Sequence, residues 1–156
     1  MPDHPDTKPA QAVARLAVDD AGVALSERGL RFLQAPGRYA VIATIGADGS
    51  PNQAVIWYRL DGTTIVLNSA QGRRWPTDLQ RDPRVSITIA DGYDWVSAAG
   101  TVEAIHDQAI AQADIAAMAV AYEDAGDAAK SIARFRTQHR ISFRLHPARF
   151  HEEFED

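Results

Sequence analysis

Between Tyr39 and Ile105, apolar and polar positions alternate in short runs broken by glycine, the period-two signature of half-buried strands. Tyr39 to Ile45 reads as a strand, Asp48-Gly49-Ser50-Pro51 as a turn, and Gln53 to Leu60 as the returning arm of a hairpin. Asp61-Gly62 turns the chain into a third strand, Thr63 to Leu67. A short cation-bearing stretch, Arg73 to Arg84, separates it from a fourth strand, Val85 to Ala90. Asp91-Gly92 then leads into a fifth, Trp95 to Ile105.

The period changes after Ile105. Ala111, Ile115, Met118 and Tyr122 fall on one face of a helix spanning Ala109 to Tyr122. Gly126 is expected to break it, and Ala128 to Arg136 forms a second helix carrying Ile132 and Phe135. Near the N-terminus, Ser26 is placed to cap a short helix with Leu30, Phe32 and Leu33, ended by Pro36-Gly37. A last strand, Ile141 to Leu145, precedes Pro147. Six short strands joined mostly by tight turns predict a mainly β (α+β) antiparallel barrel with short flanking helices rather than a βαβ sheet. Residues 1–24 lack a stable period and read as a mobile tail, residues 25–147 as the domain, and residues 148–156, with Phe150 and Phe154, as an acidic tail.

At 156 residues, 46% hydrophobic and 24% charged, the chain has the composition of one soluble globular domain. Its net charge of -5 argues against general affinity for nucleic acid. With no cysteine there is no disulfide framework or thiol nucleophile, so the cytoplasm is the default compartment. No apolar run has the length of a membrane span or a signal core.

Motifs for dinucleotide, P-loop, zincin and nucleophile-elbow chemistry do not occur, and none of the five histidines sits at a recognised metal spacing. The cationic stretch has a mechanism of its own. Asn68 and Ser69 project from a strand end, Gly72 lets backbone approach a ligand, and Pro76 fits the first turn of a helix. Its free N–H groups beside Arg73 and Arg74 suit a phosphate. The competing reading makes Arg73, Arg74, Arg81 and Arg84 a solvated face offset by Asp78 and Asp82. Trp57 and Trp75 are then core or dimer-contact aromatics.

The run Tyr39-Ala-Val-Ile-Ala-Thr-Ile-Gly-Ala-Asp-Gly-Ser-Pro51, then Val55-Ile-Trp-Tyr58, Asp61-Gly62 and Gly72-Arg-Arg-Trp-Pro-Thr-Asp-Leu-Gln-Arg-Asp-Pro-Arg-Val85, resembles the pyridoxamine 5'-phosphate oxidase-like split β-barrel superfamily. Within it the chain is most similar to the F420-dependent (deazaflavin) reductase branch. The resemblance implies a homodimer with cofactor grooves at the subunit interface. A flavin or deazaflavin ring would rest against Gln53, Ala54, Val55, Ile56 and Trp57, and a phosphate would be held by Asn68, Ser69, Arg73 and Arg74. Trp75 and Asp78 belong to the same implied site but depart from the lysine and asparagine common in relatives. The implied activity is hydride transfer from reduced F420 to a conjugated small molecule, with no catalytic side chain and a proton from solvent, Tyr58 or Tyr93. An FMN enzyme of the same fold, or a non-enzymatic flavin- or haem-like ligand-binding protein, is the alternative.

Overall fold

The computed structural model describes residues 24–156 and the backbone of Arg15–Ala17. The tail expected over residues 1–24 lies outside the described residues apart from Ala24 and strand β1 (Arg15–Ala17), which pairs with β2 (Ala24–Ser26). Then follow α1 (Glu27–Gln34), β3 (Ala40–Ile45), β4 (Pro51–Ile56), β5 (Arg59–Asp61), β6 (Thr64–Ala70) and α2 (Arg74–Arg81). The chain continues through β7 (Arg84–Asp91), β8 (Asp94–Ile105), α3 (Gln108–Tyr122), α4 (Ala125–Phe135) and β9 (Arg140–Glu153).

The main sheet is antiparallel, in the order β4-β3-β7-β8-β9-β6-β5. It has seven strands rather than six, because the returning hairpin arm breaks at Trp57-Tyr58. Packing explains the break. The Trp57 ring stacks on Tyr122 at 5.1 Å and 7°, and the Tyr58 hydroxyl donates to the Leu33 carbonyl at 2.8 Å. The Tyr122 hydroxyl meanwhile accepts from the Tyr58 N–H and donates to the Arg38 carbonyl at 2.6 Å. The two sheet edges, β4 and β5, are therefore joined by two residues yet do not pair with each other. The sheet curls into a barrel that stays split.

Inside the curl, Ile42, Leu67, Ile87 and Phe143 are fully buried. A second core forms where α3 and α4 cover the other face of β6, around Val66, Ile115, Met118 and Phe135. Alternation along β6 thus sends Leu67 to one core and Val66 and Asn68 to the other side.

Two boundaries differ from the sequence pattern. Gly126 lies inside the first turn of α4; the interruption comes from Asp124, whose side chain caps α4 by accepting from the Asp127 N–H at 2.9 Å. The last strand passes through Pro147 to Glu153 instead of ending at Leu145. Pro147 is tolerated because it sits at a bulge opposite Gly100, where a Cβ would lie 2.1 Å from the His146 carbonyl oxygen. The acidic C-terminal segment is docked: Glu152 accepts from the Ser26 N–H and hydroxyl, and Phe154 meets Phe32 edge-on at 5.5 Å. None of the described helices is long and apolar enough to cross a membrane.

Candidate functional site

At the split in the barrel, the end of β4 faces the start of α2 across a cavity of about 280 Å3. Val55, Ile56, Trp57 and Tyr39 line one side, Trp75 and Asn68 lie deeper, and Arg73, Arg134, Phe135 and Arg140 complete the wall. Gly72 enters α2 with φ of +90°, a left-handed conformation that glycine adopts without strain. A Cβ at Gly72 would meet no other part of the chain, so within the protein it is the turn conformation that calls for glycine. Arg73 occupies the N-cap position of α2 without a capping side chain, leaving the first helical N–H groups uncapped beside the cavity.

The cations at this cavity have no counter-charge among the described residues. Among the described residues, Arg73, Arg134 and Arg140 form no salt bridge. Arg140 is only 3% exposed. Its Nε donates to Asn68 Oδ1 at 3.0 Å and its Nη1 to Gln138 Oε1 at 2.6 Å, which fixes the guanidinium plane. Burial, followed by the nearby charges of Arg73 and Arg134, lowers its pKa to about 10. Asn68 is held in turn: its amide nitrogen donates to the Ala111 carbonyl and to Ser142 Oγ, both at 2.9 Å. Ser142 donates to Asp114 at 2.7 Å.

Six of the residues singled out in the sequence meet at the cavity: Val55, Ile56, Trp57, Asn68, Arg73 and Trp75. The others do not line it. Gln53 is exposed, and Ala54 packs against the barrel core. Ser69 faces away from Asn68, with its hydroxyl buried and without a partner among the described residues. Arg74 is exposed and lies toward Asp48, whose carboxyl is lowered chiefly by hydrogen bonds from Ser50 and also feels Arg74.

Asp78 is 4% exposed, and protein donors occupy both of its oxygens. Thr44 and Asn52 donate to Oδ2 at 2.8 and 2.9 Å, and Arg81 donates to Oδ1 at 2.9 Å. It ties α2 to the β3–β4 hairpin. Although burial pushes its pKa up, these hydrogen bonds more than offset that and leave it below the usual range. Trp75 has both an apolar and a lining role, since its ring also lies 5.6 Å from Phe143 in the core. Neither tyrosine suits proton transfer in the cavity. Tyr58 is tied to Leu33 with its pKa raised chiefly by burial, and Tyr93 is 79% exposed in the β7–β8 turn.

Sequence reasoning missed Arg134 and Arg140. The signal for Arg140 lies in pairing: antiparallel register sets it opposite Ala70, two residues from Asn68. Gln108 and Gln112 of α3 clamp the intervening turn, donating to the carbonyls of Arg140 at 2.8 Å, Phe135 at 2.9 Å and Gln138 at 3.0 Å.

The architecture is shared with solved structures. An F420 reductase is 21% identical, with 78% of this chain and 94% of that one covered and a TM-score of 0.62. A conserved hypothetical protein from Mycobacterium tuberculosis is 22% identical, with 83% and 85% covered and a TM-score of 0.66. A heme storage protein from Vibrio cholerae is 18% identical, with 78% and 89% covered and a TM-score of 0.59. At these identities the likeness shows the fold. A comparison with curated proteins finds no match. The family model described as Pyridoxamine 5'-phosphate oxidase matches residues 25–150, which takes in the split barrel and every residue of the cavity, and the chain belongs to that family.

Proposed function

We propose that the protein is an F420H2-dependent oxidoreductase that reduces a conjugated small molecule in the cavity at the barrel split. The observation that carries this reading is the pairing of an apolar wall, Val55 to Trp57, with Arg73 at the uncapped start of α2. The wall suits a flat ring, and the arginine and helix start suit a phosphate. A structural relative bearing the name F420 reductase favours the deazaflavin over FMN as the first cofactor to test.

When bound, the reduced deazaflavin supplies the hydride. The chain's own part is to orient the ring on Val55, Ile56 and Trp57, hold the phosphate at Arg73, and keep water from the reacting face. No side chain need act as nucleophile. Because Tyr58 is buried and tied, the proton comes from solvent.

A second subunit would complete the site. The cavity lies just below the roughly 300–1,000 Å3 of typical small-molecule sites. Its mouth is rimmed by exposed apolar residues: Tyr39 at 52%, Val55 at 69%, and Val41, the cross-strand partner of Val55, at 39%. A homodimer contact there would cover these residues and deepen the groove. Val55→Asp is expected to shift the protein to monomer in sedimentation; an unchanged dimer would place the interface elsewhere. The cofactor test is titration of the purified protein with F420 and FMN side by side. Micromolar-range quenching by F420 supports the reading, tighter FMN binding replaces it with an FMN enzyme, and quenching by neither removes both.

A further inference from the structure

On the wall opposite β4, α4 and the start of β9 bring two more arginines to the cavity. Both guanidinium groups pack on the Phe135 ring, that of Arg134 at 5.3 Å and that of Arg140 at 4.7 Å from its centroid. Arg140 is almost wholly buried, and a buried charge is costly unless it is paired. Its Nε and Nη1 are committed to Asn68 and Gln138, whereas Nη2 has no hydrogen-bond partner among the described residues. Side-chain amides satisfy part of the guanidinium, but no carboxylate among the described residues neutralises it. The three positive charges of Arg73, Arg134 and Arg140 lie close enough to disfavour one another.

The surroundings hold this arrangement in place. The clamp from Gln108 and Gln112 fixes the α4–β9 turn, and the chain Asp114–Ser142–Asn68 fixes the amide that receives Arg140 Nε. A preorganised, partly buried fork with spare donors beside an aromatic face is a receptor for an oxyanion.

We infer that Arg134 and Arg140, beside Phe135, form a second anion subsite of the cavity that takes a carboxylate or phosphate group in addition to the phosphate at Arg73. The inference rests on the cofactor reading for its place in catalysis, though not for its chemistry. The group comes either from the acidic tail of the cofactor or from an acidic substituent on the substrate.

Trp57 and Trp75 both line the cavity, so intrinsic fluorescence reports its occupancy. The experiment titrates the full-length protein with inorganic pyrophosphate, F420 and FMN, comparing wild type with Arg134→Gln and Arg140→Lys. Arg134→Gln alters an exposed side chain and keeps the test alive should the buried substitution impair folding. Pyrophosphate is expected to bind wild type and to lose about tenfold or more in affinity in either variant. If Arg134→Gln weakens F420 and spares FMN, the group is the cofactor's tail. If F420 is unaffected and pyrophosphate still binds the F420-saturated protein in an Arg134-dependent way, the group belongs to the substrate. Absent pyrophosphate binding, or equal affinity in all three proteins, overturns the subsite even when F420 binds normally. Arg134-dependent pyrophosphate binding with no response to either cofactor supports the subsite and removes the cofactor reading instead.

Discussion

Two arginine clusters sit on the same side of β6, linked through Asn68 and Ser142, and they differ in one respect. Around Asp114, Arg59 and Arg144 reach the carboxylate at 3.0 and 2.8 Å, and Ser142 donates the remaining contact. Around the cavity, Arg73, Arg134 and Arg140 have no carboxylate among the described residues. The first cluster is electrostatically complete and holds α3 to β5 and β9. On our proposal the second takes its counter-charge from a ligand. Proximity of arginines alone does not separate a structural network from a binding site; the presence of a buried acid does.

The largest expected effect tests the completed cluster. Asp114→Ala leaves Arg144 and Ser142 without their partner, and urea unfolding should register a loss of about 3 kcal/mol. A loss below about 1 kcal/mol would mean that the cluster is not structural. The same carboxyl predicts the acid limit of the fold. Burial raises the Asp114 pKa, but hydrogen bonds from Ser142, Arg144 and Arg59 more than offset this and leave it below its ordinary value of 3.8. The unfolded chain then binds more protons than the native one as pH falls, so the stabilisation is full above the ordinary carboxylate range and disappears through the lower folded pKa. Unfolding midpoints measured from pH 7 downward should fall in that window for wild type, and much less for Asp114→Asn.

In the open cluster the effect should fall on binding. Arg73→Ala is expected to weaken the cofactor by about 1.5–3 kcal/mol while leaving the unfolding midpoint near wild type. Arg74→Ala, which alters an exposed side chain outside the cavity, should stay within about 0.5 kcal/mol in both measurements. Equal losses from the two variants would return Arg74 to the site and blur the distinction.

The sequence made one cluster partly visible and the other not at all. Alternation and turn glycines reveal β3, β6, β7 and β8, each bounded by a tight turn or one short helix, whereas β4 and β5 read as a single arm because the packing of Trp57 and Tyr58 that parts them is tertiary. The wall Val55 to Trp57 and Arg73 belong to that local part. Arg140 enters through the pairing of β9 with β6, some seventy residues apart in sequence, and Arg134 through the packing of α4 just before it; no local period encodes either. Asp114 escaped notice because it lies on the apolar face of α3, between Ala111 and Ile115, where the pattern marks core positions and gives no sign of buried charge. Asp78 differs again. The family resemblance put it in the implied site, whereas its burial against Thr44 and Asn52 depends on how α2 folds back over the β3–β4 hairpin.

The most direct test of this contrast is calorimetric titration of the Arg73→Ala/Arg134→Gln double variant with F420, beside wild type, after matched unfolding curves. Both side chains are exposed and free of salt bridges among the described residues, so the variant should fold with an unchanged midpoint and lose about tenfold or more in affinity. Wild-type affinity in the double variant would show that the unpaired arginines do not serve the ligand and would contradict the account.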